Sequence, residues 1–491
     1  MADRLEHLVL VVPGVLGSVL SDADGVPSWG PGLGDLARTM RWPSALSLAE
    51  YPNLLPSSLL PTIKLIPPFV VPGYDRLVQR IVAAFAGVQV DLACPGRNRN
   101  LNANVVLFPY DFRVGVPAVA ERLQAEIGIR LAGLTQAARH RRVIVVAHSL
   151  GGLVARYWLG PLGGWPDCKA LITVATPHQG VPKALDWLLN GVRVKSMTLR
   201  SATEVLREWP SSYDLLPSYP AVLSVGQATA TDRPLRPLEL DAIAGSEFAP
   251  RVRRAARTGA EIAVSWAALT KRGEAPELTA VLSRRHPTPN RAVLVGRQLR
   301  VTRDDPEWLP HCGWRGDGTV PAISAIPPEF GGDHDDLREV PDRHQAMASA
   351  AVIVDILREY TRGATVRPAA GCPPRLAGLQ AGAPRLDLEF DEVAPARQRT
   401  TVVASLSHDT AGAAGDLWLT VRRQATRAPV FRCRSRLIGG RWQITIPPLG
   451  PGLYSIAAQA ACMFGERLIT SSGVIGLVEA NAPRLRVHPE L

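Results

Sequence analysis

The sequence predicts an α/β domain built on a mostly parallel sheet, followed by a small all-β sandwich. Three observations carry this: continuously apolar segments alternating with helix-spaced stretches, a change of composition after about residue 362, and short alternating segments from there onward. Residues 7–12, 104–109, 142–147 and 169–175 are valine-rich runs without polar alternation, as in strands buried on both faces. Between them, "VPAVAERLQAEIGIRLAGLTQAARH" repeats apolar residues at Val119, Leu123, Ile127, Leu131 and Leu134, the spacing of an amphipathic helix. Strands alternating with helices imply a parallel sheet with helices on both faces, and 491 residues are enough for more than one domain.

Two segments interrupt the rhythm. Residues 21 to about 73 are rich in Pro, Trp and Leu without a clean period, and residues 190–285 contain amphipathic pieces such as "TEVLREWPSSYDLLPSYP" but no evident core strand. Insertions of this length are often lids or substrate-binding elements. The stretch 363–384 reads as a Pro/Gly/Ala linker. Beyond it, "RLDLEF", "TTVVASL", "DLWLTVRR", "RWQITIP" and "GLYSIAAQA" are separated by turn residues, as in an immunoglobulin-like sandwich over 385–491. The first domain is accordingly read as residues 1–362.

The cysteines, Cys94, Cys168, Cys312, Cys372, Cys433 and Cys462, are scattered without a C-x-x-C pair. That speaks against a metal site or disulfide framework, and neither metal nor cofactor is expected. "MADRLEHLVLVVPG" lacks the features of a signal peptide, and the apolar stretch 54–73 is broken by prolines and Lys64. A cytoplasmic protein is expected, with peripheral association at membranes as an extension. The net charge of +11 comes almost wholly from arginine. It reads as a solvated basic surface or as attraction to anionic lipid. No basic run interleaved with aromatics supports nucleic acid.

The chemistry is concentrated in "VIVVAHSLGGLVARYW", residues 143–158. An apolar strand stops at Ser149, two glycines follow, and a helical pattern begins, which is the shape of a nucleophile elbow. Ala147 stands where G-x-S-x-G has its first glycine; one methyl group is accommodated there, while Gly151 and Gly152 keep the helix close to the turn. Serine needs a base, and the base an orienting carboxylate, in the chain order Ser, acid, His for this type of sheet. "GDGTVP" places Asp317 in a glycine-flanked turn, and "PDRHQAMASAAVIVDILREY" places His344 just before a helix. The competitors Asp333, His334, Asp335 and Asp336 form an acidic hydrophilic loop. His148 is read as shaping the pocket, and His178 as a loop or pocket histidine. An oxyanion needs two backbone N–H donors: Leu150, after the nucleophile, and Val15 in "VVPGVLGSVL", where Gly14 and Gly17 permit a sharp turn.

Together "VPGVLGSVL", "PYDFR" (109–113), "AHSLGG", "ITVATPHQG", "PSSYDLLP" (210–217) and "GDGTVP" resemble, in order, the motifs of the lecithin:cholesterol acyltransferase family of α/β-hydrolases, over roughly residues 8–360. The resemblance implies an acyl-serine intermediate formed from a phospholipid or other lipid ester and passed to water or a lipid alcohol. It implies the triad Ser149, Asp317 and His344, with oxyanion donors at Val15 and Leu150. It also implies a membrane-facing lid, placed at about 28–73 with Trp29 and Trp42 as substrate contacts, and a cap within about 190–285. The lid disulfide of secreted members has no counterpart, because no cysteine precedes Cys94, and Phe112 replaces the usual tryptophan. Expected partners are a lipid or membrane-surface substrate and, through the sandwich, a protein. The alternatives are an esterase or thioesterase on soluble substrates and a non-catalytic lipid-binding scaffold.

Overall fold

The computed structural model describes residues 3–32, 42–61, 63–64, 70–71, 73–194, 197–225, 234–295, 298–304, 306–309, 315–330, 335–362, 386–390, 393–406, 414–423, 429–438, 441–462 and 468–478. Seven parallel strands form the central sheet: β1 (Leu8–Val12), β2 (Val90–Leu92), β3 (Val105–Leu107), β4 (Val143–His148), β5 (Cys168–Val174), β6 (Glu277–Leu282) and β7 (Leu337–Glu339). They lie in the order β2-β3-β1-β4-β5-β6-β7. Every residue of β1 and β4 is buried, because helices cover both faces. Leu8, Leu10, Val12, Val143, Val145 and Ala147 pack with α2 (Val116–Arg130) and α3 (Leu150–Leu159). The alternate residues Val9, Val11, Ile144 and Val146 pack with α1 (Tyr74–Ala84) and α5 (Val352–Thr361). Val12 pairs with Ala147, so the loops after β1 and β4 leave the sheet side by side. Ligands of open α/β sheets bind at such a crevice, outside the carboxyl ends of the strands. The fold is that of an α/β-hydrolase followed by a β domain.

The structure departs from the sequence reading where polarity or brevity masks an element. The helical repeat ends early: α2 stops at Arg130, Gly133 turns at φ 84°, and Leu134 is 42 % exposed. The span 190–285, read as cap, holds a core strand, β6, with five of its six residues buried. Glu277 and Thr279 break its apolarity, although Thr279 is 2 % exposed within the sheet. The same span holds α4 (Ala249–Arg272), whose Ile262 and Trp266 join the core beside Trp158. Insertion material therefore precedes α4, with a small sheet (Val222–Val225, Pro234–Leu235, Arg291–Val295 and Gln298–Thr302) beside it.

β2 carries Asp91, buried because Arg130 meets it at 2.7 Å while also holding Glu126 at 2.8 Å and the Asn100 carbonyl at 3.0 Å. Removing one member of a buried ionic set leaves the others uncompensated. Arg130→Ala is expected to lower stability by about 3–5 kcal/mol in urea unfolding; a change below about 1 kcal/mol would show the network to be solvated.

After the expected linker, 363–384, which lies outside the described residues, a two-sheet sandwich begins. Leu386–Glu389, Thr400–Leu406 and Arg441–Ile446 form one sheet. Val393–Pro395, Leu468–Val478, Gly452–Cys462, Ala414–Arg423 and Pro429–Ser435 form the other. Inward side chains of both, including Val402, Trp442, Leu419 and Ile456, make a single core. The sandwich touches the first domain through an Arg303–Glu389 ion pair, a hydrogen bond from Arg343 to the Leu388 carbonyl, and Leu199 packed on its core. No helix among the described residues is long and apolar enough to cross a membrane.

Candidate active site

β4 ends at His148 and α3 begins at Leu150, leaving Ser149 alone in the turn at φ 53°, ψ −125°. A non-glycine residue holds such a conformation only where its surroundings enforce it. Here Ser149 N–H donates to the Val174 carbonyl at 2.8 Å, and its own carbonyl accepts Gly152 N–H at 3.0 Å. The glycines are needed by contact: a Cβ on Gly151 would lie 2.5 Å from the Pro13 carbonyl oxygen, and one on Gly152 2.0 Å from Thr176 Oγ1. Ala147, fully buried in β4, fits with its methyl group in the core.

Ser149 Oγ lies 3.0 Å from His344 Nε2, and His344 Nδ1 lies 2.8 Å from Asp317 Oδ2. Asp317 sits in a turn pinned by hydrogen bonds between Gly316 and His286 and by Gly318 N–H donating to Thr288 Oγ1 at 2.8 Å. Its other oxygen accepts the N–H groups of Thr319 at 2.8 Å and Val320 at 2.7 Å. Burial works to raise the Asp317 pKa, but the charge and hydrogen bond of His344 and those two N–H groups outweigh it and hold the carboxyl below 3.8. The carboxylate therefore accepts the Nδ1 proton and leaves Nε2 bare toward the serine. The three groups are 7 %, 2 % and 9 % exposed for Ser149, Asp317 and His344. Of the competitors, Asp335 is exposed and Asp336 uses its carbonyl to hold Ala280 of β6; Asp333 and His334 lie outside the described residues.

Beside the serine, the loop after β1 closes as a turn, with Gly17 N–H donating to the Gly14 carbonyl at 3.1 Å and Leu16 at φ 60°. A Cβ on Gly14 would stand 2.7 Å from Ser149 Cβ, so only glycine lets the loop lie against Ser149. Val15 N–H makes no hydrogen bond among the described residues. Leu150 opens α3, where helix geometry leaves N–H groups without intrahelical partners. Both amides are thus available as donors.

The motifs have company. Residues 77–235 match the lecithin:cholesterol acyltransferase family model. That segment contains "PYDFR", "AHSLGG", "ITVATPHQG" and "PSSYDLLP", while "VPGVLGSVL" and "GDGTVP" lie outside it. No curated protein matches the chain. Among solved structures, a propeptide-form lipase of Bacillus licheniformis, BlEst2, is similar at 9 % identity and TM-score 0.34, covering 96 % of this chain and 94 % of that one. A CARDB domain from Pyrococcus furiosus in complex with di-metal ions is similar at 8 % identity and TM-score 0.15, covering 20 % of this chain and 94 % of that one.

Members of the lecithin:cholesterol acyltransferase family are the reference for the expected lid, and part of that span is anchored here. Trp29 belongs to a three-stranded sheet with Ser18–Ser21 and Leu55–Leu59. Its Nε1–H donates to the Leu16 carbonyl at 2.9 Å, and its ring meets Phe112 edge-on at 6.5 Å. Trp29 is therefore tied to the loop that follows β1. Residues 47–51 are held from below: fully buried Arg113 of "PYDFR" donates to the carbonyls of Ser47 and Tyr51, and Glu208 accepts from Ser47 Oγ and the N–H groups of Leu48 and Ala49. Trp42 is 44 % exposed at the edge of this anchored piece. Residues 33–41, 62, 65–69 and 72 of the expected lid lie outside the described residues.

His148 and His178 take other partners. His148 turns to Tyr74 and to the His344 carbonyl, and His178 Nδ1 accepts from Arg156 at 2.9 Å. Tyr74 is the site neighbour the sequence does not reveal, since nothing in "VPGYDRL" sets it apart. Among the described residues no cluster of His, Cys, Asp and Glu could hold a metal ion.

Proposed function

We propose that the chain is a serine lipase or acyltransferase that takes an acyl group from a membrane lipid ester onto Ser149. The family match supports action on lipid esters in general, by hydrolysis or acyl transfer. The observation that carries the finer reading is the unbroken hydrogen-bonded line Ser149 Oγ, His344 Nε2, His344 Nδ1, Asp317 Oδ2, at 3.0 and 2.8 Å, built from residues far apart in the chain.

In this reading His344 Nε2 takes the Oγ proton as Oγ attacks the ester carbonyl carbon, and Asp317 stabilises the imidazolium that forms. The N–H groups of Val15 and Leu150 receive the tetrahedral oxyanion. His344 then returns the proton to the leaving alcohol, and water or a lipid alcohol, deprotonated by the same nitrogen, releases the acyl group from the serine. Ser149 is 7 % exposed, and the substrate assigned to it here is one presented at a lipid surface. The buried free thiols Cys94 and Cys168 support a reducing, cytoplasmic setting with peripheral membrane contact, and the sandwich is assigned to partner recognition.

A fluorophosphonate probe is expected to label Ser149, and fatty acid release from phosphatidylcholine vesicles to exceed turnover of short soluble esters. Labelling without vesicle activity would move the assignment to a soluble esterase or thioesterase. No labelling would leave a non-catalytic lipid-binding scaffold.

A further inference from the structure

Tyr74 opens α1 and is 5 % exposed. Its Oη lies 2.9 Å from the Gly14 backbone nitrogen and 2.8 Å from His148 Nδ1. His148, 4 % exposed at the end of β4, places Nε2 3.1 Å from the carbonyl oxygen of His344. The two rings of His148 and His344 lie 4.9 Å apart.

Only one order of protons fits these contacts. A carbonyl oxygen accepts and never donates, so His148 Nε2 carries the proton. Burial, with the neighbouring His344 charge adding to it, pulls the His148 pKa down to about 3; the ring is neutral, and Nδ1 is left as an acceptor. Tyr74 O–H therefore donates to Nδ1, and the phenol oxygen accepts the Gly14 N–H. Burial pushes the phenol well above its usual pKa, so that proton stays in place. The result is a chain with a single direction and no orphaned polar atom.

Each end of this chain is a working part of the site. Gly14 precedes the oxyanion donor Val15, His148 precedes Ser149, and the far acceptor belongs to His344 itself. With Gly14 N–H committed to Tyr74 and Gly17 N–H to the Gly14 carbonyl, the turn is held with Val15 N–H uncommitted. We propose that Tyr74 and His148 are positioning residues of the reaction, locking the oxyanion loop and the base loop to the strand that carries the nucleophile. The proposal rests on the serine reading above and adds two residues to it. It assigns a use to the histidine of "AHSLGG" that the triad leaves idle.

The test is the rate of Ser149 phosphonylation by the fluorophosphonate, measured per folded chain in the full-length protein. Tyr74→Phe keeps the ring and removes both hydrogen bonds; the rate constant is expected to fall about 10- to 100-fold, the scale of misplacing reacting groups by an ångström, with complete labelling at the end point. His148→Gln, which retains an N–H for the His344 carbonyl, is expected to lose less than His148→Leu. A merely structural role would shrink the fraction of chains that label and leave the rate of that fraction at the wild-type value, and that result overturns the proposal. So do equal losses in the two His148 variants. Nitrogen-15 spectra of histidine-labelled wild type need no variant to fold: His148 is expected as the neutral Nε2–H form at neutral pH, and an Nδ1–H form overturns the chain. If the wild type itself does not label, the serine reading fails, while the tautomer still decides whether the hydrogen-bond chain exists.

Discussion

Ser149→Ala is expected to abolish ester turnover, with a fall of about a millionfold as in other serine triads that lose their nucleophile. Alanine loses one oxygen and no backbone contact. The N–H to Val174 and the carbonyl bond to Gly152 survive, so the elbow keeps its shape and the thermal unfolding midpoint should match wild type. What remains is whatever the two amides and the binding surface contribute alone. Fatty acid release from phosphatidylcholine vesicles is the measurement. Activity within about tenfold of wild type would dismiss an acyl-serine route, since one oxyanion donor alone is worth more than that.

Asp317→Asn should cost about ten-thousandfold in turnover with little change in fold. The Thr319 and Val320 N–H groups need an acceptor where Oδ1 now stands. The asparagine carbonyl takes that place, which turns its NH2 toward His344 Nδ1. Nδ1 must then accept, the proton moves to Nε2, and Nε2 presents a hydrogen to Ser149 where a lone pair is required. The substitution also has a signature in acid. A carboxyl held below 3.8 in the fold contributes stability that is present above its unfolded pKa and lost as pH falls through the folded value. Between pH 5 and 2 the stability of wild type should therefore drop more steeply than that of Asp317→Asn. Parallel acid curves with full activity in the variant would count against the buried carboxylate as the orienter of the base.

Legibility in the sequence follows the range over which each feature is determined. β1, β4 and β5 are readable because continuous apolarity is a local property, and the elbow at Ser149 because strand, serine and paired glycines are neighbours. Asp317 and His344 are singled out by chain order and turn chemistry; in the structure His344 lies beside Ser149 and Asp317 beside His344. β2 and β7 are three residues each, too short for any period to register. β6 hides because Glu277 and Thr279 interrupt its pattern. Tyr74 is beyond any local signal: its partners lie 60 and 74 residues away, and only the folded sheet brings them together. Trp29 is legible as an aromatic in an irregular stretch, but its partner is a backbone carbonyl, which composition does not announce.

The hydrogen bond from Arg343 to the Leu388 carbonyl joins the sandwich to the loop that carries His344. Arg343 is the residue before His344, and Leu388 sits in the first strand of the sandwich. A chain shortened to the first domain would lose this carbonyl partner of Arg343, so under the proposed function its kinetics are expected to differ from those of the intact protein. The same link runs in reverse: a shift of the first sandwich strand would be felt at Arg343, one residue from the imidazole, as well as at Arg303 and Leu199.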